Sequence, residues 1–578
     1  MLVKQTNPPL SQDDPSALFQ RAMSLHRSGA PDQAIKLYRH LLEHFPRSPQ
    51  TLFALGTAEC QAGNPIEGIR LLDESLITFP NNAAAYKNRG RALASINRPQ
   101  EAQESYKRAI HLNPDDAETH LMLADALYGI GRLEEALLSY ERALQLAPDT
   151  AAAHFQRGNV LRRLNRPEEA LKSYERAVQT EPDFGMAHSN RGGLLCDLGR
   201  TDEGLPCLER AIQLMPTSPE LHTNRGVILQ HLKRFDEALQ AFEAAIRARP
   251  DYAEAHYHKA ELLLLTGDYR RGWELYEWRW QTALRNASAL SSKYPLWTGH
   301  QPVKGKSLLI EPEVGFGDFI MFARFAALLR ELDARIVMYT PRPLSSLYAN
   351  ALEGILIVEE GCPLPHVDFR CPIMSLPRAF ATTVDTIPRQ FPYLSVAVQK
   401  RQEWKARLGS SNALRVGLMW TGKANRDIDN SIFRSRSVPL QVLEPLFELP
   451  MEIHSLQKET QQDDAAWLSR TKRVMDHQEE LADFSDTAAL IEEMDLIISV
   501  DTSVAHLAGA LARPLWVMLP YAVDYRWGLG ETETPWYPTA TLFRQPSVGD
   551  WESVVQKIKI KLIELLKSER AAEIWTGR

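Results

Sequence analysis

The sequence predicts an α-helical solenoid followed by two doubly wound, Rossmann-like α/β lobes. Three observations predict this fold class. Prolines recur every 34 residues in the first half of the chain, at positions 46, 80, 114, 148, 182, 216 and 250. After residue 307, short apolar segments alternate with helical patterns, as they do in parallel sheets. The chain has 578 residues, 44% hydrophobic and 24% charged, which is typical of a globular protein with several domains.

A 34-residue period is the signature of tetratricopeptide repeats, in which each unit is a helix–turn–helix. Small residues let neighbouring helices cross closely, and bulky residues fill the gaps. A first small position holds Ala22, Gly56, Gly90, Ala124, Gly158, Gly192, Gly226 and Ala260. A second small position holds Ala34, Gly68, Ala102, Ala136, Ala170, Gly204, Ala238 and Gly272, and four residues later come Tyr38, Leu72, Tyr106, Tyr140, Tyr174, Leu208, Phe242 and Tyr276. We therefore predict eight repeats in residues 15–286, after a flexible tail of residues 1–14.

A ladder of carboxamides precedes the first small position and predicts a peptide-binding groove. Asn88, Asn190 and Asn224 share this position, and carboxamides can pair with both N–H and C=O groups of any backbone. An arginine follows each of them in the sequence. The alternative is that Asn-Arg-Gly is simply tolerated on a solvated helix face, and Ala54 and Met122 interrupt the ladder.

The last repeat departs from the pattern. Its segment Gly272–Trp280 is rich in aromatic residues and lacks the closing proline. A divergent terminal repeat caps a stack by packing on another element, and we expect it to pack on the next domain near Trp297. Residues 287–306 are predicted to be a linker.

The second half is predicted to form two α/β lobes, residues 307–398 and 399–566, followed by a tail of residues 567–578. The first lobe shows strands at 308–310, 335–339, 355–358 and 368–374, and one amphipathic helix at 318–332. The second shows strands at 414–420, 452–456, 496–500 and 515–519, and a closing helix at 554–566. Two such lobes with a ligand cleft between them resemble the arrangement of GT-B glycosyltransferases.

The stretch 486–514 carries the clearest candidate site. Ser485 or Asp486 is predicted to cap a helix that runs to about Met494. The strand that follows ends at Asp501, Thr502 and Ser503, where the next helix begins, and His506 lies one turn further on. A helix N-terminus at the carboxyl end of a parallel strand favours a phosphate group, so we predict a nucleotide diphosphate pocket. The alternative is an ordinary strand–helix turn whose polar residues only cap the helix.

Composition narrows the class of protein. The formal net charge of −7 disfavours nucleic acid as a partner. No apolar run approaches the roughly 20 residues of a transmembrane helix, and residues 1–14 lack the apolar core of a signal peptide. The five cysteines are scattered without a Cys-x-x-Cys pair, so we expect reduced thiols and a cytoplasmic protein.

Three segments resemble the glycosyltransferase family that contains the heptosyltransferases, family 9, in its form fused to tetratricopeptide repeats. They are Gly315-Phe-Gly-Asp-Phe-Ile-Met-Phe-Ala-Arg-Phe325, Val416-Gly-Leu-Met-Trp-Thr-Gly422 with Arg436-Ser-Val-Pro-Leu440 and Ser455-Leu-Gln457 behind it, and Asp483 through Trp527. The order of repeats and then GT-B lobes is also similar to that of the O-linked N-acetylglucosamine transferases and of repeat-bearing bacterial flagellin glycosyltransferases.

The resemblance implies roles for particular residues. It places the general base of an inverting transfer on Asp318, which would take the proton of the acceptor hydroxyl; the alternative is a helix-capping aspartate. Asp501, Thr502, Ser503, His506 and Gln457 would contact the donor nucleotide. Lys423 and Arg436 would neutralise the departing diphosphate, with Arg434 as a competitor for the second role.

Trp527 would wall the donor pocket or be structural, and the structural role is favoured. Asp427 and Asp429 match the Asp-x-Asp motif of metal-dependent transferases, but such short matches arise often by chance. We expect no metal and no cofactor.

The expected function is therefore a cytoplasmic inverting glycosyltransferase. It would move a sugar from a nucleotide-sugar to a hydroxyl of a protein held by the repeats, with flagellin or another surface protein as the candidate acceptor. One alternative is a transferase that acts on a lipid-linked or surface glycan, with the repeats as a docking arm. Another is a non-catalytic repeat scaffold, against which the presence of Asp318, Asp501 and His506 argues.

Overall fold

The computed structural model describes residues 14–282, 293–313, 315–422, 436–460 and 462–567. The chain forms two compact units: Met1–Leu194 with Pro206–Leu214, and Leu195–Leu205 with Met215–Arg578. The boundary between the units falls within the sixth predicted repeat. No helix of the described residues is long and apolar enough to cross a lipid bilayer.

The first half consists of paired helices that return every 34 residues, which confirms the repeat prediction. The helices are α1 (Pro15–Arg27), α2 (Pro31–His44), α3 (Pro49–Gln61), α4 (Pro65–Thr78), α5 (Ala83–Ser95), α6 (Pro99–Leu112), α7 (Ala117–Gly129), α8 (Leu133–Leu146), α9 (Ala151–Arg163), α10 (Pro167–Thr180), α11 (Gly185–Asp197), α12 (Thr201–Leu214), α13 (Pro219–His231), α14 (Phe235–Ala248), α15 (Ala253–Leu265) and α16 (Tyr269–Tyr276). Prolines at many first helical positions fix φ where an N–H would have no partner.

Within single repeats, a glycine of the first helix packs against an aromatic ring of the second. A Cβ built on Gly90 would lie 2.5 Å from Cε1 of Tyr106, and one built on Gly158 would lie 2.5 Å from Cε1 of Tyr174. Real Cβ atoms do not approach a ring so closely. The glycines therefore set the distance between the paired helices, and the rings fill the space between them.

The arginines that directly precede the first small position tie consecutive helices together in the first unit. Arg157 donates to Glu141 (2.9 Å) on the preceding helix pair and to Ser173 (2.7 Å) in its own repeat. Arg89 repeats this pattern with Asp73 (2.5 Å) and Ser105 (2.6 Å). These arginines are thus occupied by intramolecular partners, which accounts for their recurrence without a ligand.

The second unit contains a four-stranded parallel sheet in the first lobe, in the order β3-β2-β1-β4. Its strands are β1 (Ser307–Glu311), β2 (Arg335–Thr340), β3 (Leu356–Glu359) and β4 (Phe369–Pro372). Its helices are α17 (Phe316–Phe322), α18 (Ala326–Arg330), α19 (Arg342–Ala351) and α20 (Leu376–Ala379). The predicted single helix at 318–332 is wrong: a 3₁₀ turn at Ala323–Phe325 divides it. Arg324 in that turn reaches the carbonyl oxygen of Trp536 (2.8 Å).

The second lobe holds a six-stranded parallel sheet in the order β10-β9-β8-β5-β6-β7, which confirms two α/β lobes. Its strands are β5 (Leu414–Met419), β6 (Met451–Ser455), β7 (Val474–Met475), β8 (Leu496–Val500), β9 (Leu515–Leu519) and β10 (Ala540–Arg544). Its helices are α21 (Val398–Leu408), α22 (Glu444–Phe447), α23 (Gln462–Thr471), α24 (Phe484–Glu492), α25 (Ser503–Ala510) and α26 (Trp551–Lys567). The edge strands β7 and β10 were not predicted because one is very short and the other lacks a continuous apolar run.

The cap of α24 differs from the predicted one. Asp483 accepts hydrogen bonds from the backbone N–H groups of Ser485 (2.7 Å) and Asp486 (3.3 Å). Asp486 points inward instead and accepts from the Trp404 indole (3.2 Å). The side chain of Asp486 therefore joins α24 to α21 rather than capping its own helix.

The terminal repeat packs against both lobes of the second unit. Trp273 is 1% exposed, and its ring meets Phe322 of the first lobe and Tyr525 of the second edge-on, at 6.0 and 5.7 Å between centroids. Packing on the next domain agrees with the expectation from sequence. Trp297 belongs to the same hydrophobic core as Trp273, and its ring meets Phe380 edge-on (5.6 Å).

We expect Gly158→Ala to destabilise the repeats by about 1–2 kcal/mol. The added methyl group meets the Tyr174 ring, and overpacking costs about 1–3 kcal/mol against a helix-propensity gain of about 0.5–1 kcal/mol. Gly193→Ala is the matched control, because a Cβ there meets nothing within 4 Å. It should stabilise by about 0.5–1 kcal/mol. Urea unfolding followed by far-UV circular dichroism measures both, and equal effects of the two changes would contradict the packing argument.

Candidate functional site

The candidate site lies where the strand order of each sheet reverses. In the first lobe the reversal falls between β1 and β4, and in the second between β5 and β8. The loops that follow β1, β5 and β8 carry most of the residues singled out from sequence. Crevices at the carboxyl ends of strands at such a switch point are the usual ligand sites of open α/β sheets.

The helices α17 and α25 meet across the two lobes at this point. A Cβ built on Gly317 would lie 2.9 Å from Cδ2 of His506 and 3.6 Å from Cα of Ser503. Only a residue without a side chain allows this approach. Gly315, which precedes α17, has a φ of 102°, a value that L side chains rarely adopt. The two glycines of the Gly-x-Gly-Asp element therefore bring Asp318 to the interface between the lobes.

Asp318 forms an ion pair that sequence reasoning missed. Arg526 of the second lobe donates to Asp318 Oδ1 through Nε (2.8 Å) and more closely through Nη2. Arg526 Nη1 also lies 2.7 Å from Asp524 Oδ1, so one guanidinium serves two carboxylates. The side chains of Asp318 and Arg526 are 15% and 14% exposed, which shields the pair from water.

A second arginine extends this charge network toward α25. Arg436 Nη1 lies 3.4 Å from Asp501 Oδ2. Burial raises the pKa of Asp524, but Arg526 and Arg436 outweigh it, and the pKa is lowered overall. Burial lowers the pKa of Arg526, but Asp318 and Asp524 outweigh it, and that pKa is raised. Carboxylates and guanidinium groups thus alternate across the interface, and Asp524 and Arg526 stay charged.

His506 is a buried, neutral hydrogen-bonding group. Burial lowers its pKa to about 4, despite the opposing effect of Asp501, whose Oδ1 lies 3.8 Å from Nε2. Its Nδ1 is 2.9 Å from the hydroxyl of Tyr537, and its ring stacks on Trp527 with 5.2 Å between centroids. Trp527 is fully buried and holds this ring in place, in line with the structural role favoured for it.

Thr502 and Ser503 stand at the start of α25, but Thr502 does not cap it. Thr502 occupies the N-cap position without a side-chain capping bond, and its Oγ1 lies 3.1 Å from Oγ of Ser499. A Cβ built on Gly422 would lie 3.4 Å from Cγ2 of Thr502, so the loops after β5 and β8 touch. These contacts speak against the capping alternative for Thr502.

Gln457 uses its amide to hold the loop after β5. Its Oε1 accepts from the N–H of Thr421 (3.2 Å), and its Nε2 donates to Oγ1 of Thr421 (2.7 Å) and to the carbonyl of Glu459 (3.1 Å). The side chain is 2% exposed. These bonds fit a residue that positions Thr421. They fit less well the predicted role of Gln457, a direct contact with the base or ribose of the donor. Lys423, with its neighbours Asp427, Asp429 and Arg434, lies outside the described residues.

The three asparagines of the predicted groove differ in their surroundings. Asn88 donates to Oγ1 of Thr57 (3.1 Å) and Asn190 to Oδ1 of Asn159 (2.8 Å), and both are half-buried. Each bond links the first helices of consecutive repeats. Asn224 is exposed. Part of the carboxamide ladder therefore contributes to packing between repeats.

Asp524 and Arg526 could have been found in the sequence. They belong to Asp524-Tyr-Arg-Trp527, a cluster of charged and aromatic residues in the loop after β9. Such a loop is a usual place for binding residues in an α/β sheet. The pairing of Arg526 with Asp318, 208 residues earlier, could not be read from either segment alone.

The helical repeats and the two-lobed α/β half define a class of protein, a repeat solenoid fused to a GT-B-like fold. Family models described as "Tetratricopeptide repeat" match residues 15–58, 53–117, 87–151, 121–183, 155–219 and 219–252. The model described as "Glycosyltransferase family 9 (heptosyltransferase)" matches residues 465–543. The chain therefore joins tetratricopeptide repeats to a glycosyltransferase family 9 region.

Among curated proteins, the chain is similar to Protein FlbA of Caulobacter vibrioides, with 27% identity over 336 residues. The match covers 54% of this chain and 55% of that protein, so the chain spans about half the length of the curated relative.

Similar solved structures cover less of the chain. YrrB, a TPR protein, is 24% identical with a TM-score of 0.30, over 32% of this chain and 97% of that one. MamA of Desulfovibrio magneticus is 21% identical with a TM-score of 0.29, over 30% and 99%. The C-terminal part of a TPR repeat-containing protein from Cytophaga hutchinsonii is 12% identical with a TM-score of 0.36, over 41% and 97%.

We expect the His506 ring to stay neutral down to about pH 5. Its folded pKa of about 4 lies below the ordinary 6.5, so the unfolded chain takes up the proton first as the pH falls. The stability that His506 contributes is therefore complete above pH 6.5 and is lost as the pH falls toward 4. NMR of the full chain with labelled histidines measures the titration, and His506→Gln identifies the signal. A midpoint near 6.5 would contradict the buried, neutral assignment.

Proposed function

We propose that this protein is an inverting glycosyltransferase that moves a sugar from a nucleotide-sugar to a hydroxyl of a protein. One observation carries the proposal: the loop with Asp318 and the start of α25 meet at the switch points of two Rossmann-like lobes. The match of residues 465–543 to glycosyltransferase family 9 supports the same reaction class.

The donor diphosphate would lie at the start of α25. The free N–H groups and the dipole of a helix N-terminus favour a phosphate. Arg436 lies beside Asp501 at this point, and Arg526 lies beside Asp318. Guanidinium groups can accept the charge that develops on the leaving diphosphate, so no metal ion or other cofactor is required in this proposal.

Asp318 would act as the general base. An inverting transfer needs a carboxylate that takes the proton of the acceptor hydroxyl, on the side opposite the leaving group. In this proposal Arg526 holds the Asp318 carboxylate in place from the second lobe. The same guanidinium links the site of proton removal to the network around the donor. Gln457 and Trp527 would act indirectly, by holding Thr421 and His506.

The acceptor would be a protein bound by the repeats. Tetratricopeptide repeats suit a peptide or protein partner, because stacked helix pairs offer an extended surface. Asn224 presents an exposed carboxamide at the position of the predicted ladder. We place the reaction in the cytoplasm, and none of the five cysteines is part of a disulfide.

Asp318→Asn is expected to lower turnover by about 10²-fold or more, because the amide cannot accept the proton. Donor binding should persist. The assay uses the full chain and nucleotide-sugars of uracil, guanine, adenine and thymine. Sugar transfer is followed by mass spectrometry, and donor binding by the rise in melting temperature with the matching nucleoside diphosphate.

The matched control for this change is Asp333→Asn. Asp333 pairs with Lys304 (3.1 Å) on the exposed surface of the first lobe, so the change also removes an ion pair. It should leave turnover within about twofold, because exposed pairs contribute little. EDTA should not change the rate of the unsubstituted chain. Undiminished turnover in Asp318→Asn would refute its role as base.

Asn224→Ala should raise KM for a protein acceptor by about 2–10-fold, since one hydrogen bond contributes about 0.5–1.5 kcal/mol. Hydrolysis of the donor by water should not change. The acceptor is first found by mass spectrometry of cellular proteins with and without this chain. Asn113→Ala, which removes an exposed carboxamide after α6, is the control. If neither change affects KM, the repeats do not bind the acceptor through this position.

A further inference from the structure

The terminal repeat reaches both sides of the Asp318–Arg526 pair. Its Trp273 contacts Phe322, the last residue of the helix that carries Asp318. The same ring contacts Tyr525, the neighbour of Arg526, and Tyr276 meets Tyr525 edge-on at 6.0 Å between centroids. The aromatic residues of the repeat therefore pack against α17, which carries Asp318, and against the loop after β9, which carries Arg526.

A buried arginine of the same repeat holds the loop in front of Asp318. Arg279 lies in the 3₁₀ turn Glu277–Gln281, and its side chain is 0% exposed. It donates to both carboxylate oxygens of Glu313, each at 2.9 Å. Glu313 also accepts from the backbone N–H of Met374 (3.0 Å). Glu313 precedes Gly315 by two residues, so Arg279 anchors the start of the loop that presents Asp318.

Arg279 makes further bonds that fix its own position. It donates to Oγ of Ser375 (2.7 Å), to Glu277 (2.8 Å) and to the carbonyl of Tyr276 (3.1 Å). Burial lowers its pKa, but Glu313 and Glu277 outweigh that effect, so its pKa is raised and its charge persists. A planar guanidinium in a two-point contact with a carboxylate sets both distance and orientation, which a flexible ammonium does less well.

We propose that the terminal repeat is a positioning part of the active site, with Arg279 and Trp273 as positioning residues for Asp318 and Arg526. This inference rests on the proposed function. Removing Arg279 would take the two-point guanidinium contact away from the buried Glu313 carboxylate, so we expect Glu313 and its loop to shift. A displacement of about 1 Å at a reacting group can lower a rate by about 10²-fold.

The experiment compares Arg279→Met with Arg157→Met in the full chain. Arg157 serves as the control because it also bonds a carboxylate (2.9 Å) and a serine hydroxyl (2.7 Å), but it lies in another repeat and is 21% exposed. We expect Arg279→Met to lower kcat by about tenfold or more with KM for the donor within about threefold. Arg157→Met should leave both within about twofold. Arg279→Lys should recover only part of kcat.

Trp273→Phe provides a milder second variant. It shortens the ring between Phe322 and Tyr525, and Trp273 Nε1 has no hydrogen-bond partner among the described residues. It should lower kcat without raising KM for the donor. Trp516→Phe is its control, because Trp516 packs against Phe543 in the separate core of the second lobe. A kcat within about twofold of the unsubstituted chain in both Arg279→Met and Trp273→Phe would overturn the proposal.

Hydrogen exchange separates this inference from the proposed function. If the unsubstituted chain transfers none of the sugars tested, the proposed function fails, but exchange can still be measured. Arg279→Met should speed exchange in the segments 307–325 and 524–527, and Arg157→Met should not. If Arg279→Met does not fold, Trp273→Phe is measured in the same way. Unchanged exchange in both segments would overturn the positioning role.

Discussion

The contact between Gly317 and the imidazole ring of His506 sets how closely the two α/β lobes approach. Any side chain at position 317 would overlap the ring, whose nearest atom would lie 2.9 Å from a Cβ. The ring itself cannot yield easily, because Trp527 stacks on it and Tyr537 bonds its Nδ1. The rest of the site depends on this approach, since Asp318 and Arg526 come from different lobes and meet only when the lobes are close.

Each guanidinium group at the interface lies beside carboxylate groups. Asp318 of the first lobe pairs with Arg526 of the second, which also pairs with Asp524. Arg436 lies beside Asp501 and lowers the pKa of Asp524. Charges that are largely removed from water are stable only when each has an opposite partner, so no member of this network can be lost without cost to its neighbours. Such a network holds guanidinium groups ready beside a helix N-terminus, which suits an anionic ligand.

The repeats and the α/β half use the same two physical devices. In the repeats, a glycine against an aromatic ring sets the distance between helices, as with Gly158 and Tyr174. An arginine then ties its own repeat to the preceding one through a hydroxyl and a carboxylate, as Arg157 does with Ser173 and Glu141. At the end of the solenoid, Arg279 makes the same pair of contacts with residues of the first lobe. The terminal repeat is thereby built into the core of the second unit.

The sequence by itself determined the repeats, the two lobes and the stretch from Asp501 to His506. These features depend on local patterns: a fixed period, apolar strands and polar residues at strand ends. Strands β8 and β9 have the bounds that their apolar runs predict. Local patterns failed where a side chain found a distant partner, as Asp486 did with Trp404 and Gln457 with Thr421.

Only the tertiary structure decided which charges meet at the candidate site. Arg526 lies 208 residues from Asp318 in the sequence. Arg279 lies 34 residues from Glu313, and the two belong to the terminal repeat and to the first lobe. No period or composition in the sequence marks either pairing, because each depends on how elements far apart in the chain pack together. A carboxylate that is buried away from water requires a cation at hydrogen-bonding distance. That cation can come from any part of the chain that the fold brings close.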